Sequence, residues 1–418
     1  MTRHFAREQA LIAVFLLRGA ALGALVGVGC GATSALFLRT LEAATAAREH
    51  FPPLLWGLPL AGLLAAWCYE TWGKEAERGS NLLLDRIHDR RAAPLPLVMA
   101  PLVLVATVLT HLFGGSAGRE GTAVQMGGTI GEAVSGWLCL GRRERRALLQ
   151  AGISGGFGAV FGTPLAGAVF GLEVLAVGGL NYGALAACVV SSLVGDAVCR
   201  ALGVHHAVYI AATPPAATPW LAVAGAGVVF AAAAALFIES TDAVKHLLEK
   251  YVSAALLRPV AAGAAVIALA YLFRTNDYLG LSLPLLAQSF APAGVPIYAW
   301  LVKILFTAVT LGGGFKGGEV TPLFVVGATL GCAYAHLMHQ PPAYFAALGL
   351  VSVFAAAANT PLSCVLLAVE LFGSAFALPA LACVALAYTL SGHRGIYGSQ
   401  QMLHAKARGV FARKGRKV

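Results

Sequence analysis

The chain has 418 residues and is 58% hydrophobic but only 11% charged, where an ordinary soluble domain carries about 25% charged residues. With a mean hydropathy of +0.77, soluble domains of this total length would lack the polar surface they need. The composition excludes a soluble enzyme or binding module and predicts a polytopic membrane protein. Its net charge of +10 therefore has to be read against a bilayer.

In chain order, apolar runs occupy 9–38, 53–69, 95–113, 147–178, 183–201, 218–238, 255–273, 296–313, 320–338, 343–372 and 375–391. Several reach the ~20 residues that cross a bilayer. Others are short, or broken by Gly, Pro or a lone charge, and Gly totals 49. Such interruptions predict discontinuous helices whose unpaired backbone lines a cavity. The first run follows Arg3 and Arg7 in the manner of a signal peptide. It continues past Arg18 without a cleavage site, however, and is expected to be retained. Basic residues flank spans at Arg142, Arg143, Arg145 and Arg146 and again from Lys406 to Lys417. Such clusters favour the cytoplasmic side, so both termini are expected there, in the inner (plasma) membrane of a cell. The clusters read as topogenic and lipid-facing, with no nucleic-acid partner. The eight cysteines form no CxxC pair, so packing residues are expected, with no metal site, no disulfide framework and no cofactor.

The sequence repeats itself. GGTIG at 127–131 matches GATLG at 327–331, and FGAVFGTPLAGAVFGLEVL (157–175) matches FAAAANTPLSCVLLAVELF (354–372). The offsets, 200 and 197 residues, are nearly equal and the blocks keep their order. Two related halves follow, about 9–205 and 215–400, in one transmembrane transporter domain (1–418) with a basic tail at 401–418. Duplicated halves in transporters are often inverted, with the binding site between them near the midplane. The first offset sets GREGT (118–122) opposite GEVTP (318–322), a glycine-flanked acidic stretch before a helix in each half. A helix N-terminus presents unpaired N–H groups and about half a positive charge, which makes it an anion site. Two such ends aimed at one point would cradle a dehydrated anion inside the membrane.

These residues resemble the CLC family of chloride channels and proton-coupled anion antiporters, over essentially the whole chain. GREGT is similar to the family's GREGP signature, whose glutamate is an external gate and proton acceptor; GEVTP stands at its GxFxP signature. FGTPLAGAVFGLE is similar to its Pro-Leu-Ala-Gly turn, and Tyr397 in HRGIYGSQ stands at its inner-gate tyrosine. GSNLLLD (79–85) occupies the place of GSGIP. The departures are informative: Thr122 replaces the proline of GREGP, Glu319 is an added intramembrane acid, and Val174 stands where chloride/proton antiporters carry an internal glutamate. Together GREGTxVQMG, GGGFKGGEVTPLF and GIYGSQ resemble the family's fluoride-exporting branch.

The resemblance implies an all-α fold of two inverted-topology repeats with discontinuous, re-entrant helices, assembled as a homodimer with one pore per subunit. It implies fluoride and protons as the transported species, with Glu120 as gate and proton carrier. The anion-binding set it implies is Ser80 or Asn81, Gly118, Arg119, Gly121, Thr122, Glu319, Val320, Thr321, Phe324 and Tyr397. It leaves no soluble regulatory domain after Tyr397. Several residues keep two readings. Glu120 pairs poorly with adjacent Arg119 on a helix, and an intramembrane acid is a functional candidate. Glu319 is either a dipole-stabilised N-terminal acid or part of the path; Thr321 either caps its helix or donates to the anion. Phe324 offers a ring edge or packs, and Tyr397 is an interfacial aromatic or an anion ligand. Glu173 and Glu370 brace structure or line a vestibule, and His205 and His206 are expected in a loop. The rivals are a chloride or general anion channel or a chloride/proton antiporter of the same family, and an intramembrane enzyme. No HExxH motif or His/Asp cluster supports the enzyme. GGGFKG (312–317) has no preceding strand to make it a dinucleotide site.

Overall fold

The computed structural model describes residues 2–89, 91–206, 215 and 217–406. The basic tail beyond Lys406 and most of the junction between halves lie outside the described residues. Among the described residues there are sixteen α-helices and one two-stranded parallel pairing. The first half supplies α1 (Thr2–His50), α2 (Leu58–Trp72), α3 (Ser80–His88), α4 (Met99–Leu112), α5 (Glu120–Trp137), α6 (Arg142–Phe161), α7 (Pro164–Glu173) and α8 (Leu185–Ala201). The second supplies α9 (Trp220–Tyr251), α10 (Arg258–Phe273), α11 (Leu283–Gln288), α12 (Ala299–Gly312), α13 (Val320–Leu337), α14 (Pro342–Ala358), α15 (Pro361–Phe372) and α16 (Ala377–Leu390). The order of long, short and re-entrant helices recurs between the halves.

Six segments among the described residues are long and apolar enough to cross a bilayer. The rest of the apolar sequence forms shorter helices, whose backbone ends must be satisfied within the protein. Burial separates the two kinds. In α1 only 17% of the most apolar window is covered by protein, against 89% in α13. The greasy sequence of α1 therefore serves lipid, and that of α13 serves the interior. Helix α14 runs through the centre, with every residue from Ala343 to Ala358 buried.

Without a hydrophobic drive between helices in lipid, small residues set where they pack. On α1, Gly23, Gly27 and Gly31 recur every fourth residue and meet Ala187, Ser191 and Gly195 of α8, spaced alike. A β-carbon at Gly23, Gly27 or Gly31 would fall 2.5–2.7 Å from the carbonyl oxygens of Ala187, Ser191 and Gly195. This small-residue seam fixes the two helices against one another.

The continuous apolar runs 147–178 and 343–372 each prove to be two helices. The break after α6 is Gly162 at φ +73°, and that after α14 is Asn359 at φ +58°. Each is a left-handed C-terminal stop of the kind Gly and Asn tolerate, followed by Thr-Pro with the proline at N1. Neither threonine caps its helix with its side chain. Instead, Glu173 at the end of α7 accepts from the N–H groups of Leu362 (3.0 Å) and Ser363 (2.9 Å) at the start of α15. Glu370 near the end of α15 accepts from those of Leu165 and Ala166 at the start of α7, both at 2.8 Å. The two helices lie head to tail, each capped by the other half's glutamate. This reciprocity gives Glu173 and Glu370 the bracing role. Helices α3 and α11 were not visible as apolar runs; they are short, and neighbouring segments cover them.

Candidate functional site

The loops before α5 and α13 meet. Gly118 donates its N–H to the Gly318 carbonyl at 2.6 Å, and Gly318 donates to the Gly118 carbonyl at 2.8 Å, an antiparallel bridge between the halves. The paired GREGT and GEVTP stretches are thus brought together. Gly121 packs there as well: a β-carbon on it would lie 3.1 Å from the Gly318 α-carbon.

Glu120 opens α5 yet turns its carboxylate onto the start of α13. It is fully buried. Its Oε2 accepts from the backbone N–H of Thr321 and of Arg119, both at 3.1 Å, and its Oε1 accepts from the Thr321 hydroxyl. The glycines make room for it, since a β-carbon at Gly118 or Gly318 would stand 2.6 or 2.8 Å from Oε2. A carboxylate in this place holds the position that a helix N-terminus offers an anion. Arg119 meets Glu120 through its backbone N–H, and the residue also lines a neighbouring cavity.

The other expected residues take distinct places. Thr321, nearly fully buried, is committed to Glu120, whereas Val320 beside it is packed with no exposure. Glu319 stands at the N-cap of α13 and makes no side-chain cap hydrogen bond. Thr122 is fully buried and its hydroxyl pairs with that of Thr107 on α4 at 2.7 Å. Its hydroxyl thus joins α4 to α5. Phe324 packs between Phe161 (5.1 Å between centroids) and Phe354 (5.4 Å, edge-on).

Tyr397 is only 4% exposed, which removes the interfacial reading. Its ring stands edge-on to Phe170 at 6.4 Å, and its hydroxyl lies within electrostatic reach of both Glu319 and Glu120. The loop that carries it is tied down: Ile396 N–H to the Ala357 carbonyl (2.9 Å), and the Gln400 amide to the carbonyls of Val174 (2.9 Å) and Ala358 (2.8 Å). Beyond it, residues 401–402 pair with 176–177 as a short parallel strand. Asn81, at the start of α3, accepts from the Ser399 N–H at 2.9 Å. The register question thus gains one observation: Asn81 is joined to the tyrosine loop, while Ser80 precedes it at the first turn of α3.

Sequence reasoning missed the polar residues behind the gate. Lys303 on α12 is fully buried, as are His111 and Thr107 on α4. His111 bonds the carbonyls of Thr107 (2.8 Å) and Ala117 (3.1 Å) and so supports the loop before Glu120. The signal was the lone charge in the run 296–313. His205 and His206 do lie outside helices, but the His206 side chain is only 9% exposed.

Comparison with known proteins agrees with this architecture. The family model described as voltage gated chloride channel matches residues 61–392. A chloride/fluoride channel protein of Pseudomonas syringae pv. tomato is 45% identical over 408 residues, 96% of this chain and 90% of its own length. A proton/chloride exchange transporter of Vibrio cholerae is 27% identical over 274 residues, 61% of this chain and 58% of its own. Among solved structures, a CLC-type fluoride/proton antiporter superposes with a TM-score of 0.89 at 32% identity, covering 93% of this chain and 98% of that one. A slow cyanobacterial chloride/proton antiporter gives 0.76 at 20% identity, covering 90% and 94%. This chain belongs to the CLC family of membrane anion channels and transporters.

Proposed function

We propose that the protein is a proton-coupled fluoride antiporter that exports cytoplasmic fluoride in exchange for protons, with Glu120 as gate and proton carrier. The observation that carries this reading is the Glu120 carboxylate seated on the first turn of α13, bonded to the Thr321 N–H and hydroxyl. Ionised, it competes with an anion for those donors. Protonated, it loses its charge and with it much of its claim on them, and the anion takes its place. Mutual exclusion of this kind couples the two movements in opposite directions.

Fluoride suits the donors. It is small and strongly hydrated, so removing its water requires a dense set of N–H and O–H groups. The first turns of α5 and α13, Thr321, Tyr397 and the amide of Asn81 form such a set. Glu319 adds a second acid beside the path. The solved fluoride/proton antiporter at a TM-score of 0.89 supports this reading. A homodimer with one pore per subunit, cytoplasmic termini and a plasma-membrane location belong to the same proposal, as do the halves at about 9–205 and 215–400 within a single transmembrane domain.

A second reading, a passive anion channel, is favoured by the printed name of the 45% identical relative. Selectivity is tested by reconstituting the purified protein into liposomes and comparing halide efflux. Fluoride should leave more than about tenfold faster than chloride, a difference of 1.4 kcal/mol. Equal rates would remove fluoride from the proposal and leave a general anion transporter.

A further inference from the structure

After Tyr397 the chain is strapped down. The Gln400 amide and the pairing of 401–402 with 176–177 hold its first part. Leu403 and His404 then donate their N–H groups to the Val177 carbonyl at 3.1 and 3.3 Å, and His404 Nδ1 meets the Gly178 carbonyl at 2.9 Å. The strap ends on the turn after α16. There the Lys406 N–H donates to His393 Nε2 at 3.0 Å, and the Lys406 ammonium donates to the Ser391 hydroxyl at 3.1 Å. The ammonium also lies 4.1 Å from the centre of the Tyr388 ring.

The two histidines are opposite in kind. His404 faces a carbonyl, which only accepts, so its ring nitrogen is a donor in the neutral and the charged form alike. His393 faces an N–H, so its Nε2 must supply a lone pair, and only the neutral ring has one. Protonation sets two N–H groups head to head and breaks the bond. The neighbourhood works in the same direction. The charged group that reaches His393 is Lys406, of like sign. Glu239 on α9 is engaged by Arg394, the next residue in the chain. Glu173, whose charge reaches Tyr388, is committed to the first turn of α15. Burial and Lys406 hold the His393 pKa below its ordinary 6.5, and burial pushes Lys406 down to about 7. A cationic group with a depressed folded-state pKa favours the closed form above its ordinary pKa, and that stability is lost as pH falls. His393 is half-buried, so protons reach it from solution.

We propose that His393 and the strap 403–406 form a pH-sensitive latch on the loop of Tyr397, closed at neutral pH and released when the solution on that face turns acid. Release frees the loop that the strap braces, and Tyr397 moves off the anion path more readily. That Tyr397 gates the anion, and that this face is cytoplasmic, rest on the reading above; the latch itself does not. The signal suits the cargo. Hydrogen fluoride entering a cell dissociates into fluoride and a proton, so acid and substrate arrive together.

The test is hydrogen–deuterium exchange of the purified full-length protein across the acid range, corrected for the intrinsic exchange rate and read on the amides of 403–406. Exchange should speed up by about tenfold per pH unit once the pH falls below the ordinary His393 value. His393→Gln, whose side-chain oxygen accepts at any pH, should keep the strap protected throughout. His393→Ala should leave it unprotected at neutral pH as well. His404→Gln, a change at the donor, should leave the pH response in place. Protection that ignores pH in the natural protein, or a His393→Gln variant that follows the same pH curve, would overturn the latch. Fluoride efflux from liposomes, with the same pH on both faces, tests the link to Tyr397. The natural protein should gain rate in acid relative to His393→Gln, and parallel profiles would overturn that link. If fluoride is not transported at all, the transport reading falls, and the exchange experiment still decides the latch.

Discussion

Glu120→Gln is expected to abolish proton movement while the protein still folds. The carboxylate accepts three hydrogen bonds, from the Thr321 N–H, the Thr321 hydroxyl and the Arg119 N–H, and bonds to a charged acceptor are worth about 1.5–3 kcal/mol each. Glutamine has almost the same shape but offers one acceptor oxygen. Its amide hydrogens would face the donors of α13, and it carries no titratable proton. The variant should hold the α13 site less well and have no proton to exchange. In proteoliposomes with an imposed fluoride gradient, its proton uptake should fall to the level of empty vesicles. A Glu120→Gln protein that moves protons as the natural one does would contradict the gate assignment.

The reciprocal capping by Glu173 and Glu370 should matter most for stability. Glu173→Ala leaves the N–H groups of Leu362 and Ser363 without their acceptor, and Glu370→Ala does the same to Leu165 and Ala166. An orphaned buried donor costs about 1–3 kcal/mol. The donors match across the two caps, Leu362 and Leu165 exposed and Ser363 and Ala166 buried, but Glu173 itself is buried whereas Glu370 is only half-buried, so the second cap is the more accessible to a replacement partner. Glu173→Ala should therefore lower the melting temperature in detergent more than Glu370→Ala. Glu173→Gln, which keeps one acceptor oxygen, should fall between Glu173→Ala and the natural protein. The effect should extend to the inner gate, because Gln400 bonds the carbonyl of Val174 next to Glu173. Melting indistinguishable from the natural protein in both alanine variants would show that the caps are not what joins α7 to α15.

Much of this was legible in the sequence because it rests on local chemistry. The Thr-Pro-Leu turns mark helix starts, since proline at N1 loses no hydrogen bond. The duplicated glutamates nine residues later pointed to a paired role. The repeat offset set GREGT opposite GEVTP, and the Gly118–Gly318 bridge joins those two stretches. The Gly23–Gly27–Gly31 spacing was equally readable as a helix seam, but it was masked by a glycine-rich composition.

What the sequence withheld depends on the long-range fold. Thr122 stood out as a departure from a family signature, which suggested contact with the ion. Only the packing of α4 on α5 shows its hydroxyl spent on Thr107. Tyr397 lies outside the apolar runs, so its burial rests on loop contacts with residues 357–359 and 174 that no periodicity encodes. Lys303 was visible as a lone charge, but its acceptors come from residues 116 and 278–282, which meet only once the halves are folded together.

The central claim is that protons drive fluoride, and proteoliposomes with equal fluoride on both sides and an imposed pH difference test it most directly, the membrane voltage being held at zero. The account predicts net fluoride movement opposite to the proton flow, from no fluoride gradient at all. Fluoride that stays at equilibrium under the pH difference, and moves only when its own gradient is imposed, would contradict it and identify a channel.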